Sequence, residues 1–269
     1  VTQVKNSSLG NRIIKATNES AGKALFVMTQ DGGLVGSIDD FSERYEIRSL
    51  SDGVTEIDEV SYPRFWPKQT DVILPNIEEI DGAYDDAPRI DIKTSAMQEP
   101  ATEYVADEAS VIYPTYATGA AQVSILFYYD DDLNGATAEI DYAMETANQV
   151  FIDSDIAISL VLGGAKEISL DNKLSAQEAL DLLKDREAPF AGADADRSDA
   201  EADLIYIFRD ADAEEDICGR ASLGVYEGRH YRVNSRGVVA ITITTESGSE
   251  ALCGRYTFAH EVGHNLGSL

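Results

Sequence analysis

The segment His260-Glu261-Val262-Gly263-His264 constrains the fold of this chain more than any other feature. On an α-helix, residues i and i+4 lie on one face, so both imidazoles can reach a single metal ion if this part of the chain is helical. Imidazole nitrogen is a preferred ligand of zinc, and a glutamate next to the first ligand can act as general base on zinc-activated water. The segment therefore predicts a zinc site with His260 and His264 as ligands and Glu261 as the base.

The flanking residues strengthen this prediction. The chain has only three histidines in 269 residues, and two of them lie in the segment. The preceding "YTFA" gives the helix an apolar start, and Gly267 can leave the helix through a positive φ, a turn that can return a further ligand to the metal. The alternative, an ordinary amphipathic helix with solvent-facing histidines, is disfavoured because motif, flank and glycine coincide.

Strand and helix patterns alternate after Gly119. The predicted strands are "AQVSILFYYD", "IAISLVL", "ADLIYIF", "RASLGVY" and "GVVAITIT", and the predicted helices are "TAEIDYAMETANQVFIDS", "SAQEALDLLKDRE" and a final helix from about Tyr256. Apolar residues recur at helical spacing in the first helix, and Ser175 with Glu178 predicts a capping box at the start of the second. This order predicts an α+β or α/β fold with a five-stranded, twisted, mixed sheet covered by helices.

The N-terminal part has a different pattern. Four β-type runs, Lys23–Met28, Leu34–Ile38, Tyr45–Leu50 and Val54–Val60, are separated by turn sequences such as "QDGG", which predicts a small antiparallel β region. From Pro75 the chain becomes acidic and is interrupted by prolines, as in a solvated linker or a cleavable activation segment. We therefore expect a β-rich region at 1–75, an acidic linker at 76–119 and a domain carrying the metal motif at 120–269.

The charge of the chain limits its partners. Lys and Arg number 21 against 49 Asp and Glu, a net charge of −28, so the chain repels nucleic acid and anionic membrane surfaces. The charge serves solubility or, alternatively, steers basic partners. No apolar run reaches the length of a membrane span, and residues 1–15 lack the apolar core of a signal peptide. Because the chain begins with Val1, we expect that a segment precedes it.

The two cysteines, Cys218 and Cys253, leave two alternatives open. In an exported protein they would form one disulfide bond, whereas in a cytosolic protein they would be two buried thiols.

The sequence "FAHEVGHNLG" resembles the signature H-E-x-x-H-x-x-G-x-x-H of the metzincin zinc metalloendopeptidases, and within that clan the reprolysin-like and peptidyl-Asp-type secreted proteases. The resemblance extends over residues 120–269 and implies ligands at His260 and His264, a base at Glu261 and a turn at Gly267. The third ligand of the signature would fall at position 270, immediately after Leu269. We therefore expect that this chain is cut within the site and is weakly active or inactive as given.

The resemblance has further implications for the catalytic domain. It implies a disulfide bond between Cys253 and Cys218, and it implies that the strand in "CGRASLGVY" is an edge strand that pairs antiparallel with an extended substrate through Ala221, Ser222, Leu223 and Gly224. Edge strands bind peptides in this way through unpaired backbone groups, although many are covered by a loop.

The resemblance also implies that residues 1–75 are a pro-domain, so that the protein is secreted as a zymogen. No cysteine precedes Cys218, so a thiolate cannot maintain latency here. Inhibition would have to be steric or depend on a carboxylate.

Several other residues are candidates for metal or substrate binding. His230 is expected in a surface loop, because it has few neighbouring metal-binding residues. The acidic runs Asp194–Asp203 and Tyr128–Asn134 are expected to be solvated loops, with a calcium site as the alternative. Arg220, Arg229 and Arg232 are candidates to bind acidic side chains of a substrate.

These observations support three hypotheses. The first is a secreted zinc metalloendopeptidase, made as a zymogen, that hydrolyses proteins or peptides. The second is a zinc protease of another clan, with a downstream glutamate as third ligand. The third is a catalytically inactive, metzincin-like secreted binding or surface module, against which the intact Glu261 argues.

Overall fold

The structure is a computed structural model. It describes residues 2–17, 22–40, 43–49, 55–59, 72–73, 121–211, 217–223, 225–226, 229–230, 236–244 and 250–267. The predicted acidic linker at 76–119 lies outside these residues.

The N-terminal region forms a six-stranded antiparallel sheet in which each strand pairs with the next. Its strands are β1 (Thr2–Asn6), β2 (Arg12–Thr17), β3 (Lys23–Met28), β4 (Leu34–Asp40), β5 (Glu43–Ser49) and β6 (Thr55–Glu59). The "QDGG" turn joins β3 and β4, where Gly32 has a φ of 96° and the N–H of Thr29 bonds to the carbonyl of Gly33 at 2.9 Å. The predicted antiparallel meander is confirmed, and β1 and β2 extend it. Polar and charged residues obscure the strand pattern of β1.

The second sheet is mixed and has seven strands among the described residues, where five were predicted. Its strands are β7 (Val72–Ile73), β8 (Ala121–Asp130), β9 (Ile158–Ile168), β10 (Leu204–Ala211), β11 (Gly219–Ser222), β14 (Arg236–Thr244) and β15 (Glu250–Leu252). The order is β7-β11-β14-β10-β8-β9, and β15 pairs with β14. The strands β9, β8, β10 and β14 are parallel, whereas β11 and β15 run antiparallel to β14. The two added strands, β7 and β15, are too short to be evident from periodicity.

In the part of the chain that the structure describes, four helices accompany this sheet: α1 (Ala136–Asp153), α2 (Ala176–Asp185), α3 (Ala193–Asp199) and α4 (Thr257–Asn265). The capping box at α2 is confirmed, because the Ser175 side chain accepts from the N–H of Glu178 and the Glu178 side chain accepts from the N–H of Ser175. The acidic run from Asp194 does not form the predicted solvated loop, because its first six residues, 194–199, belong to α3.

The helices cover both faces of the second sheet. Alternate residues of β8 point to opposite faces: Ile125 and Phe127 contribute to a core shared with α1 and α4, whereas Leu126 and Tyr128 contribute to a core shared with α2 and α3. Burial of both faces explains why β8 and β10 are continuous apolar runs.

The N-terminal sheet packs on α1 through both polar and apolar contacts. The side chains of Arg48 and Glu139 form a buried ion pair at 2.7 Å, and Asn11 donates to Asp141 at 2.8 Å. A small apolar cluster lies beside these contacts: Ile13, Val27, Val35, Ala138 and Tyr142. Within the described residues, no helix is both long and apolar enough to cross a membrane.

Candidate metal centre

Helix α4 carries the histidine motif and is held by its apolar face. Phe258 and Val262 are buried in the core that α4 shares with α1. The ring of Phe258 packs edge-on against that of Tyr206, with centroids 4.9 Å apart. Because the face with Phe258 and Val262 packs in the core, the two histidines lie on another face of the helix.

The imidazoles of His260 and His264 converge, with their Nε2 atoms 3.1 Å apart and their ring planes at 81°. Two nitrogens at the usual distance from a tetrahedral zinc lie about 3.3 Å apart. The pair therefore fits two ligands of one zinc ion. His264 is buried, whereas His260 is exposed.

The side chain of Glu261 extends from α4 toward β11, and only 1% of the residue's surface is exposed. A Cβ added at Gly219 of β11 would lie 2.5 Å from Oε1 of Glu261, so the carboxylate occupies space that only a glycine leaves free. The glycine thus determines how closely the carboxylate can approach the strand.

The described residues contain no group of three or more histidines, cysteines or carboxylates that could hold a metal. After His264 the helix ends at the turn where Gly267 has a φ of 98° and donates its N–H to the His264 carbonyl at 3.0 Å. This turn redirects the chain after the second imidazole.

A disulfide bond joins Cys218 to Cys253, with Cα atoms 5.4 Å apart. Cys218 immediately precedes β11, and Cys253 lies between β15 and α4. The bond therefore ties the start of β11 to the segment that leads into the metal helix.

The predicted substrate strand differs from expectation in one respect. Ala221, Ser222 and Leu223 are buried, and Gly224 lies outside the described residues. The edge of β11 that faces away from β14 is not open: Val72 and Ile73 of β7 pair with Ala221 and Ser222 in parallel. A segment of the chain itself therefore lies where an antiparallel substrate was expected.

Of the other candidate residues that the structure describes, Arg220 alone lies on α4 or β11. His230 is not in a loop but in the short strand β13 (Arg229–His230), which pairs with β12 (Val225–Tyr226). Arg220 lies on β11, half-buried, Arg229 belongs to β13, and Arg232 lies outside the described residues.

Two carboxylates of α3 are bound by other side chains. Asp196 accepts from Tyr128 at 2.7 Å and from Lys166 at 2.6 Å, and Asp194 pairs with Arg186 at 2.7 Å. Protein side chains, and not only water, therefore neutralise or bind these two carboxylates of the acidic run.

Sequence reasoning missed Gly219 and Asn265. Asn265 directly follows His264, yet its buried amide reaches Tyr206, Ser222 and Arg236 on three different strands. Its position beside the motif was the only available signal.

The fold and the paired imidazoles are compatible with a metallopeptidase. Residues 137–269 match the metallo-peptidase family M12B, reprolysin-like. This match of residues 137–269 to a reprolysin-like metallopeptidase confirms the predicted resemblance to metzincins.

Three solved structures match the chain. Metalloproteinase-II from Bacteroides fragilis matches with a TM-score of 0.51 and 12% identity, over 99% of this chain and 76% of that chain. Archaemetzincin from Methanopyrus kandleri matches with a TM-score of 0.31 and 13% identity, over 56% and 76%. A chain of a chaperone–substrate complex matches with a TM-score of 0.42 and 20% identity. The match covers 55% of this chain and 23% of that chain.

Of these three, only the Bacteroides fragilis enzyme exceeds a TM-score of 0.5, and at its low identity it supports the fold alone. No curated protein matches the chain.

Proposed function

We propose that this protein is a secreted zinc metalloendopeptidase that is made as a zymogen. The observation that carries the proposal is the convergence of the His260 and His264 Nε2 atoms to 3.1 Å, with Glu261 between them in sequence. His260 and His264 would hold the zinc, and the signature assigns the third ligand to position 270.

In this proposal each residue of the motif has one role. Bound zinc would polarise the scissile carbonyl and lower the pKa of water to about 7. Glu261 would accept a proton from the attacking water and deliver it to the leaving amine nitrogen. Its enclosure between α4 and β11 restricts the carboxylate to a small range of positions, which general base catalysis requires.

The peptide substrate would lie along β11, with its backbone bonded to the edge formed by Ala221 and Ser222. Edge strands bind extended peptides in this way. The same edge pairs with β7 in the described chain, which supports a zymogen in which residues 1–75 act as a pro-domain and 120–269 as the catalytic domain. Cleavage within the acidic linker at 76–119 would release that strand.

Export is supported by the disulfide bond between Cys218 and Cys253, because such bonds persist in oxidising compartments. The extracellular location would also give the enzyme access to protein or peptide substrates.

The test uses the full-length protein, with any residues that follow Leu269, after cleavage of the linker. Glu261→Gln preserves shape and removes the base, so kcat/KM on casein should fall by about 10²- to 10⁴-fold. The protein should still bind one zinc per chain. His264→Ala should lose both zinc and activity, and Glu187→Gln, an exposed glutamate, is the matched control that should leave both unchanged.

Casein hydrolysis at the wild-type rate by Glu261→Gln would contradict the mechanism. Absence of zinc, together with no hydrolysis of any peptide in a library, would favour the inactive binding module instead.

A further inference from the structure

The antiparallel pairing of β11 with β14 ends one residue earlier than its register allows. Gly219, Arg220 and Ala221 pair with Val239, Val238 and Gly237, so the next pair would be Ser222 with Arg236. Ser222 belongs to β11 and Arg236 belongs to β14, yet these two residues do not pair.

The side chain of Asn265 occupies this position. Its Nδ2 donates to the carbonyl of Ser222 at 2.6 Å and to the carbonyl of Arg236 at 3.1 Å. One amide group thus bonds both strands where they separate, and it belongs to the residue that follows His264 on α4. The amide is 5% exposed, so water does not compete for these bonds.

The orientation of the amide is determined by Tyr206. The Tyr206 hydroxyl donates to Oδ1 of Asn265 at 2.6 Å. If the amide were reversed, Oδ1 would face two carbonyl oxygens and both bonds would be lost. Burial, and then the charge of Glu261, raise the pKa of Tyr206 well above its ordinary value, so its proton stays available for this bond.

Gly237 makes room for the tyrosine. A Cβ at Gly237 would lie 2.4 Å from Cε1 of Tyr206, so the ring can cross β14 only where that strand has no side chain. The network therefore joins β10, β14, β11 and α4, and every hydrogen-bonding group of the Asn265 amide has a partner.

We propose that Asn265 is a positioning residue that holds the end of β11 in register with the histidine helix, so that a peptide bound along β11 presents its scissile bond at the metal site. This inference rests on the proposed function. It gives the Asn265 amide, which bonds to both β11 and β14, a role in the specificity for extended peptides. It gives this amide no role in metal binding or proton transfer.

The test compares a long and a short peptide substrate that contain the same cleaved bond, using the linker-cleaved, zinc-loaded protein. Asn265→Asp keeps the shape but places a carboxylate against two carbonyl oxygens. A misplacement of about 1 Å can cost about 10²-fold in rate. We expect kcat/KM for an octapeptide to fall by about that factor, with a much smaller loss for a tetrapeptide, while zinc stays at one per chain.

Tyr206→Phe is the milder variant, because it removes one hydroxyl and leaves both amide donors. It should lower the octapeptide-to-tetrapeptide ratio by less than Asn265→Asp does. A merely structural role would reduce the active fraction, and therefore kcat, equally for both peptides with KM unchanged. That result in both variants would overturn the proposal.

Hydrogen exchange separates this proposal from the proposed function. Asn265→Asp should increase amide exchange in Gly219–Ser222 more than in β8, whether or not the protein is an enzyme. If the wild-type protein cleaves neither peptide, the proposed function fails while the exchange result still tests the register of β11. Unchanged exchange in β11 would refute the positioning role by itself.

Discussion

Gly219 and Glu261 approach each other more closely than a side chain at position 219 would permit. A Cβ at Gly219 would lie 2.5 Å from Oε1 and 2.8 Å from Cγ of Glu261. The strand proposed to bind substrate and the proposed base are therefore in direct contact. The disulfide bond between Cys218 and Cys253 reinforces this contact, since Cys218 is the neighbour of Gly219.

Gly219→Ala should displace the Glu261 carboxylate and reduce activity. A shift of about 1 Å in a catalytic group can cost about 10²-fold, so we expect a loss of that order in kcat/KM with zinc content unchanged. The matched control is Gly254→Ala, because a Cβ there meets no atom within 4 Å. Equal activity of the two variants would show that the carboxylate does not depend on Gly219.

Proline at both residues of β7 should weaken latency. In the uncleaved protein, Val72→Pro/Ile73→Pro removes the N–H donors with which this strand can pair with β11. The loss of one hydrogen bond of about 1 kcal/mol corresponds to an increase of about fivefold in basal hydrolysis of a fluorogenic peptide. Val72→Ala/Ile73→Ala keeps the donors and should leave hydrolysis at the wild-type level. If both variants behave alike, β7 does not obstruct the substrate strand.

Removing one partner of the buried pair Arg48–Glu139 should destabilise the contact between the N-terminal sheet and α1. Arg48→Met leaves Glu139, whose side chain is 4% exposed, without its cation, at a cost of about 3–5 kcal/mol in the free energy of unfolding. The exposed pair Lys23–Asp153 is the control, and Lys23→Met should cost less than about 1 kcal/mol. Urea unfolding measures both. A double variant, Arg48→Met/Glu139→Gln, should recover part of the lost free energy of unfolding. If it does not, the destabilisation results from altered packing rather than from the unpaired charge of Glu139.

Glu145 should make stability depend on pH in the acidic range. Burial raises the pKa of its carboxyl, but Lys15 and Lys5 outweigh this effect, so the pKa is lowered from its ordinary value of 4.5. A carboxyl with a lowered pKa stabilises the fold above its unfolded pKa, and this stabilisation is lost as the pH falls through the folded pKa.

The measurement for Glu145 is the difference in unfolding free energy between the wild type and Glu145→Gln. This difference should be largest near neutral pH and should shrink as the pH falls below about 4.5. Taking the difference removes the opposite contribution of Glu139, whose pKa is raised by burial despite Arg48. A difference that is constant across this range would contradict the assigned pKa direction.

The local features of the fold could be predicted from the sequence. The periodicity of residues 137–154 predicted α1, the Ser175–Glu178 pair predicted the capping of α2, and the spacing of His260 and His264 placed two imidazoles on one face of a helix. These features depend on residues within one or two turns of each other, and the sequence displays such relationships directly. For the same reason, the alternating turns and β-runs of the first 60 residues predicted the antiparallel sheet.

The surroundings of the histidines, in contrast, depend on contacts between distant parts of the chain. Asn265 reaches the carbonyl of Ser222 across 43 residues of sequence, Gly219 accommodates Glu261, and Val72–Ile73 covers the edge of β11. Each of these contacts depends on strand order and register, and a shift of one residue would turn the other face of the strand toward α4. Local patterns do not encode register between distant strands, so the neighbours of the metal motif could be known only from the folded chain.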